Sequence, residues 1–408
     1  MKKIAVILLI AILSVFMMQC DKRENPVMMD IPHGLFFDGL SLTSQAILGN
    51  VMQDFPNRDV VVYTPAGYDQ ADTTTFYPVL YLLHGYGGDQ NYWRAVYGLG
   101  NTLDRMIYDG EIEPMLVVTA NAINSLGGSF YTNSPPIDSV GGDSFAGNYE
   151  DFIIDELIPL VDNTFNTMAD REHRAIAGSS MGGYGALKLS MSHPEMFCAT
   201  GSMSGPIAFW GSVPAGGDFP GLLLLLDAVY AENGFTPGDL ESFNTITPGA
   251  GKRLTGMMFA MGAAFSPTLE SDTLMDFAHA FATPLYSGYI NLPFNYMGEV
   301  PAMDTAFTSP WDRWMQNDVT AIMAGRAGFG LETFENIAVY VDAGAHDDIG
   351  LYGHAEVFAG AMNSYVGRYP DFYEIYPDIG DNYPADHSSL YAARLPYLFS
   401  FINDNFGE

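Results

Sequence analysis

The chain has 408 residues, which is long enough for one large domain with an insertion or for two domains. It carries 16 Lys and Arg residues against 48 Asp and Glu residues, so the formal net charge is −32. This acidity argues against nucleic acids and anionic membrane surfaces as partners, because both repel negative charge, and it indicates a solubilising surface.

The N-terminus has the pattern of an export signal. Lys2 and Lys3 precede an apolar run at 4–18, which has the length of a signal-peptide core and is short for a membrane span. Cys20 follows, and then a polar stretch. The pattern predicts a bacterial lipoprotein signal at 1–20 with a lipidated Cys20; the alternative is an ordinary cleaved signal peptide. The lipid would be the one membrane attachment of an exported protein, on a periplasmic or cell-surface face.

The cysteines and the motif inventory bear on cofactors. A lipidated Cys20 leaves Cys198 without a partner, so neither a disulfide nor a cysteine metal site is expected. Cys198 lies in an apolar run, which indicates a buried structural thiol. The sequence contains no zinc, calcium or phosphate-binding motif, and we expect neither a metal nor a cofactor. The oligomeric state is left open.

Strand-like and helix-like runs alternate along the chain. Residues 21–45 are interpreted as a tether and lead-in, and 46–408 as the folded domain. Continuous apolar strands that alternate with amphipathic helices predict an α/β fold: a mainly parallel sheet with helices on both faces. The predicted strands are 60–63, 79–83, 115–118, 174–177, 337–341 and 372–376, and the predicted helices are 148–165, 184–192, 351–365 and 388–401, the last with a kink at Pro396.

The stretch at about 207–330 breaks this rhythm. It is rich in Met, Phe, Gly and Pro and lacks clear β-type runs. We interpret it as an insertion over the strand ends, where it would form a lid that shapes an acyl pocket. The alternative is additional scaffold.

A pentapeptide with small residues, Gly178-Ser179-Ser180-Met181-Gly182, lies between a strand-like run and a helix-like run. This context is typical of a nucleophile elbow, the tight strand-to-helix turn that exposes a catalytic serine. The glycines fit because the elbow backbone is crowded. Ser180 is therefore the predicted nucleophile, and it needs a base, an orienting carboxylate and amide donors for the oxyanion.

The base should follow a late strand. His387 comes after the last strand and before the last helix, as this requires. Of the other late histidines, His279 lies in the insertion, His354 lies in a predicted helix, and His346 comes one strand too early.

The acid should lie just beyond an earlier strand end. Asp347 and Asp348 both do, whereas Asp342 lies inside the strand. We choose Asp347 and keep Asp348 as the alternative. The predicted oxyanion donors are the amide of Met181 and an amide of the glycine-rich loop 84–88, for which we choose Tyr86. His84 is expected to pack under that loop.

Extended motifs make the sequence resemble a known family. They are 58–68, 77–88 with Trp93, 128–134, 148–152, and the elbow extended through 178–187, with His193, Pro194 and Phe197 after it. These stretches resemble the esterase D / feruloyl esterase family of α/β-hydrolases, which also contains the mycolyltransferases. The resemblance covers roughly 45–206 and 310–408 and implies Ser180 as nucleophile, Asp347 as acid and His387 as base.

These features predict an exported serine carboxylic-ester hydrolase that needs no cofactor. Because of the export signal, we expect environmental substrates such as feruloyl or acetyl esters of polysaccharides, or short-chain acyl esters, rather than the S-formylglutathione on which cytoplasmic members of the family act. The alternatives are an acyltransferase of the mycolyltransferase type and a non-catalytic carbohydrate-binding lipoprotein.

Overall fold

A computed structural model of the chain describes residues 31–136, 144–209, 211–212, 218–219, 221–236, 249–268, 279–280, 289–290, 310–324, 334, 336–378 and 384–407. Its strands are β1 Leu35–Thr43, β2 Asn57–Thr64, β3 Val79–Leu83, β4 Leu116–Ala120, β5 Arg174–Ser179, β6 Ala199–Met203, β7 Gly211–Ser212, β8 Asp218–Phe219, β9 Pro267–Thr268, β10 His279–Ala280, β11 Tyr289–Ile290, β12 Ala338–Gly344 and β13 Phe372–Tyr376.

The helices alternate with the long strands. They are α1 Tyr92–Tyr97, α2 Leu99–Asp109, α3 Tyr149–Asp151, a π-helix Phe152–Leu157, α4 Ile158–Thr164, α5 Met181–Ser192, α6 Gly221–Glu232, α7 Arg253–Phe265, α8 Pro310–Gln316, α9 Val319–Met323, α10 Leu351–Tyr365 and α11 Tyr391–Asp404. In the described part of the chain, no helix combines the length and the apolar character needed to cross a bilayer.

Eight strands form the main sheet, in the order β1-β2-β4-β3-β5-β6-β12-β13. The pairs β1–β2 and β2–β4 are antiparallel, and every other neighbouring pair is parallel. The predicted α/β fold with a mainly parallel sheet is therefore confirmed. Because β5, β6 and β12 are parallel neighbours, the loops that follow them meet at one edge of the sheet.

Both faces of the sheet are buried, which explains why the central strands are continuous apolar runs. Along β3, Leu80 and Leu82 pack into a core with α1, α2 and α11, whereas Val79, Tyr81 and Leu83 pack into a larger core on the opposite face. That larger core contains α5, α10, the π-helix and much of the insertion.

The structure differs from the sequence prediction in several elements. The interpreted lead-in 21–45 contains β1, which pairs with β2 along the sheet edge, and β6, α1 and α2 were not predicted. The helix predicted at 148–165 is interrupted by the π-helix, in which the Ile158 amide bonds to the Ile153 carbonyl five residues back.

The described part of the insertion contains helices and short strands. Helix α7 is buried at every position from 255 to 265, and its side chains belong to the larger core. The sequence of the stretch has no clear β-type runs, and the strands described there are two residues long. The lid role remains a prediction.

Candidate active site

Ser180 occupies the turn between β5 and α5, as the sequence predicted for the elbow. Its backbone has φ 52° and ψ −119°, a strained combination for a residue other than glycine. The Ser180 amide donates to the Met203 carbonyl at 2.8 Å, which fixes the turn against β6. Strain that is held in place by surrounding structure is typical of functional sites.

The two glycines of the pentapeptide are required by space. A Cβ at Gly178 would lie 2.6 Å from the Gly182 carbonyl carbon and 2.7 Å from the Leu83 carbonyl oxygen. A Cβ at Gly182 would overlap that same oxygen of Leu83. The turn therefore packs against the end of β3, and only glycine permits this approach.

Asp347 and His387 lie side by side, although 40 residues separate them in the chain. Asp347 follows β12 and His387 precedes α11, and both are buried. His387 Nδ1 donates to Asp347 Oδ2 at 2.9 Å, and the Ile349 amide donates to Asp347 Oδ1 at 3.1 Å. His387 Nε2 is buried and has no hydrogen-bond partner among the described residues. Ser180 Oγ is thus not hydrogen-bonded to this nitrogen in the structure.

The neighbouring acids have other partners. Asp348 is exposed and accepts the backbone amide of His387 at 3.3 Å, so it contacts the main chain of that residue and not its ring. Asp342 lies within β12 and pairs with Arg394 of α11, and it accepts the Tyr340 hydroxyl at 2.5 Å. The structure thus places Asp347 against the imidazole.

The alternative histidines are also engaged elsewhere. The side chain of His346 is 68% exposed and lies 2.8 Å from Asp378. His354 lies in α10, where burial lowers its pKa to about 3 and its Nδ1 accepts the amide of Ala208 at 3.2 Å. The side chain of His279 lies outside the described residues.

The predicted oxyanion donors lie next to Ser180. Met181 is the first residue of α5, so its amide has no acceptor within the helix and lies at the positive end of the helix dipole. A Cβ at Gly85 would lie 3.5 Å from Ser180 Cβ, which places the loop of Tyr86 beside the serine. The Met181 amide follows Ser180 in the chain, and the Tyr86 amide follows Gly85; their donor role remains a prediction.

His84 lies beneath this loop, as expected. Its Nε2 accepts the Ala122 amide at 3.0 Å, so the proton is on Nδ1, which donates to the Gly85 carbonyl at 2.9 Å. Burial lowers the pKa of His84 to about 4. With both nitrogens occupied and the ring neutral, His84 shapes the loop and is not available as a base.

Two other predictions concern the cysteines. Cys20 lies outside the described residues, so lipidation remains a prediction. Cys198 is buried, and burial raises the pKa of its thiol to about 11, which confirms the expected buried thiol.

Sequence reasoning missed the link between α11 and the sheet. The Arg394 guanidinium is 1% exposed, pairs with Asp342 and donates to the Ser204 hydroxyl at 3.2 Å. The signal was present, because a carboxylate inside an apolar strand needs a buried partner. This link seats the helix that follows His387.

Comparisons with known proteins find similarity to esterases. Residues 56–234 match the family described as "Putative esterase". The chain is 39% identical over 146 residues to an endo-1,4-beta-xylanase/feruloyl esterase of Xylanibacter ruminicola. This aligned stretch is 35% of this chain and 19% of the relative. Over 150 residues the chain is 37% identical to an esterase of Mycobacterium tuberculosis, which covers 37% of this chain and 29% of the relative. The chain thus spans less than a third of the length of these curated relatives.

Solved structures resemble the whole fold. A ferulic acid esterase covers 92% of this chain and 99% of its own, with 20% identity and a TM-score of 0.54. An S-formylglutathione hydrolase from Agrobacterium tumefaciens covers 92% and 97%, with 12% identity and a TM-score of 0.53. The fold is therefore that of the α/β-hydrolases. Within this fold class, residues 56–234 are similar to the esterase family, and this stretch contains the elbow serine.

Proposed function

We propose that the protein is an exported serine carboxylic-ester hydrolase with Ser180, Asp347 and His387 as its catalytic triad. The observation that carries the proposal is the buried Asp347–His387 pair with an unpartnered Nε2. The strand order supports it, because β5 precedes Ser180, β12 precedes Asp347, and only β6 lies between these two strands in the sheet. The residue order serine, acid, histidine is the order found in α/β-hydrolases.

In the proposed reaction, Ser180 Oγ attacks the ester carbonyl while His387 Nε2 takes its proton. Asp347 keeps the other imidazole proton on Nδ1 and stabilises the imidazolium. The amides of Met181 and Tyr86 donate to the oxyanion of the tetrahedral intermediate. The intermediate collapses, and the alcohol leaves with the proton from His387. Water then attacks the acyl-enzyme by the same steps, which releases the acid and restores Ser180.

The substrate class is proposed from the relatives. One relative joins a xylanase and a feruloyl esterase in its name, and a solved neighbour is a ferulic acid esterase. We propose feruloyl or acetyl esters of carbohydrates, or short-chain acyl esters, as substrates. The export signal with a lipidated Cys20 would place the enzyme where it meets polysaccharide-linked esters.

The test of the triad is Ser180→Ala in the full chain. The variant should lose esterase activity by roughly 10³-fold or more while keeping its melting temperature, because alanine removes only the hydroxyl. Ser190→Ala is the matched control: Ser190 is also buried and lies in α5, the helix that begins after Ser180, and its hydroxyl donates to the Leu187 carbonyl. Hydrolysis at the original rate by Ser180→Ala would overturn the mechanism.

The test of the substrate class is a panel of chromogenic esters of increasing acyl length that includes feruloyl and acetyl-sugar esters. We expect the highest kcat/KM for a feruloyl or acetyl-sugar ester or for a short acyl chain. A preference for long acyl chains, or acyl transfer to added alcohols in place of hydrolysis, would contradict the proposed class.

Labelling with a radioactive fatty acid, compared with a Cys20→Ala variant, tests the lipid anchor.

A further inference from the structure

Helix α7 of the insertion meets the loop of the proposed oxyanion donor at one glycine. A Cβ at Gly256 would lie 2.5 Å from the hydroxyl oxygen of Tyr86, and the next atom of that side chain, Cζ, would be 3.6 Å away. The Tyr86 side chain therefore reaches the helix surface, and it fits because position 256 carries no side chain. Arg253, at the start of α7, also acts electrostatically on this phenol.

The Tyr86 ring is enclosed on its other side as well. A Cβ at Gly127 would lie 2.8 Å from Tyr86 Cζ, and one at Gly128 would lie 2.9 Å from Tyr86 Cδ2. The Tyr86 hydroxyl donates to the Leu126 carbonyl at 2.7 Å, and burial raises the pKa of Tyr86 to about 12. The ring is thus packed against Gly127 and Gly128 and bonded to Leu126, and a side chain at position 256 would have to displace it.

Helix α7 is itself anchored to its surroundings at both ends. At its start, the Thr255 amide donates to the Glu232 carboxylate at 2.7 Å, and the Leu254 amide donates at 3.0 Å. Toward its end, the Ser134 hydroxyl donates to the Ala263 carbonyl at 2.7 Å. Between these bonds the helix is buried, so the surface that it presents to Tyr86 is fixed.

We propose that Gly256 and the Tyr86 side chain are positioning residues, through which α7 sets the Tyr86 amide for the oxyanion. The inference rests on the proposed function, in which that amide is a donor. It gives the insertion a role in the chemical step that is separate from covering the substrate. Oxyanion donors act by pre-organisation, so a displaced amide lowers kcat more than it changes KM.

The test is Gly256→Ala, Tyr86→Phe and the double variant, assayed for kcat and KM on one chromogenic ester. Gly256→Ala should lower kcat about 10- to 100-fold with KM changed by less than about threefold, which is somewhat less than deletion of an oxyanion donor causes. Tyr86→Phe, which loses the Leu126 bond, should lower kcat by a smaller factor. In the double variant the added methyl group meets no hydroxyl, and kcat should rise to the value of Tyr86→Phe alone.

Gly249→Ala is the control, because a Cβ there meets no described atom within 4 Å. A melting temperature for each variant separates folding from positioning. The inference is overturned if Gly256→Ala keeps its kcat, if only its melting temperature falls, or if Tyr86→Phe fails to restore the rate. These outcomes leave Ser180→Ala as a separate test of the proposed function, whereas a wild-type protein without esterase activity would overturn both.

Discussion

The distinction between Asp347 and Asp348 can be tested by exchanging each carboxylate for an amide. The Ile349 amide donates to one oxygen of Asp347, and His387 Nδ1 donates to the other. In Asp347→Asn, the amide oxygen stays with Ile349 and the NH2 group faces Nδ1. The imidazole must then carry its proton on Nε2, so that it can no longer accept one from Ser180.

The expected loss follows from this change of tautomer. Replacing the acid of a serine triad by its amide lowers kcat by roughly 10⁴-fold, which corresponds to about 5 kcal/mol of transition-state stabilisation. The opposite amide rotamer does not avoid the loss, because it sets an NH2 group against the Ile349 N–H. Asp348→Asn keeps an oxygen for the His387 amide and should retain activity within about threefold, as expected for an exposed hydrogen bond.

The assay is steady-state hydrolysis of a chromogenic ester by both variants, with circular dichroism to verify folding. Since both substitutions remove one negative charge from adjacent positions, Asp348→Asn controls for charge. Full activity in Asp347→Asn together with loss in Asp348→Asn would refute the assignment.

Three further predictions concern the framework of the site. Gly182→Ala should lower stability by about 3 kcal/mol or more, because its Cβ overlaps the Leu83 carbonyl oxygen, and a normal urea midpoint would contradict this. Burial lowers the pKa of His84 from 6.5 to about 4, so the unfolded chain binds more protons than the folded protein between these pH values. About 3 kcal/mol of the free energy of unfolding should therefore be lost as the pH falls from 6.5 toward 4, as measured by urea unfolding. In His84→Asn, the free energy of unfolding should depend less on pH over this range. Arg394→Met should cost about 3–5 kcal/mol by leaving the Asp342 carboxylate buried and unpaired, and adding Asp342→Leu should restore most of it.

The parts of the fold that could be predicted are the buried strands and helices whose sequences show a clear apolar pattern. β3 and β13 have the predicted bounds because apolar or aromatic runs end at turn residues, and α10 also coincides with its prediction. The missed strand β6 begins with four small residues, Ala199-Thr200-Gly201-Ser202. Its Gly201 is required because a Cβ there would lie 2.7 Å from a Leu398 methyl group. This constraint comes from a helix almost 200 residues later, and no local pattern reveals it.

The edge strand β1 was missed because none of its side chains is fully buried. Most of its side chains are exposed or half-buried, and its pairing with β2 shifts between Phe37 and Leu40. An edge strand of this kind lacks the continuous apolar signal of a central strand. It is specified by backbone pairing, which the sequence does not display.

The candidate site residues were more predictable than the contacts that hold them in place. Chain order and strand ends were sufficient to choose Ser180, Asp347 and His387, and the structure places the last two in contact. The choice of Asp347 over Asp348 rested on its position after the strand and on the family resemblance, whereas the geometry depends on the bonds from Ile349 and His387. The packing of Tyr86 against Gly256 joins segments 170 residues apart and left no local signal.

The bond between Arg394 and Asp342 has a consequence for the order in which the protein matures. Ser180 leaves the ribosome 207 residues before His387, which is about 10–40 s at ordinary rates of synthesis. During that interval the elbow can form on β3, β5 and β6, but the imidazole that would activate its serine has not been made. When α11 then packs against the sheet, Arg394 pairs with the Asp342 carboxylate of β12, and His387 comes into contact with Asp347. In the proposed mechanism, completion of the core and the onset of catalytic activity would therefore coincide in a single late step.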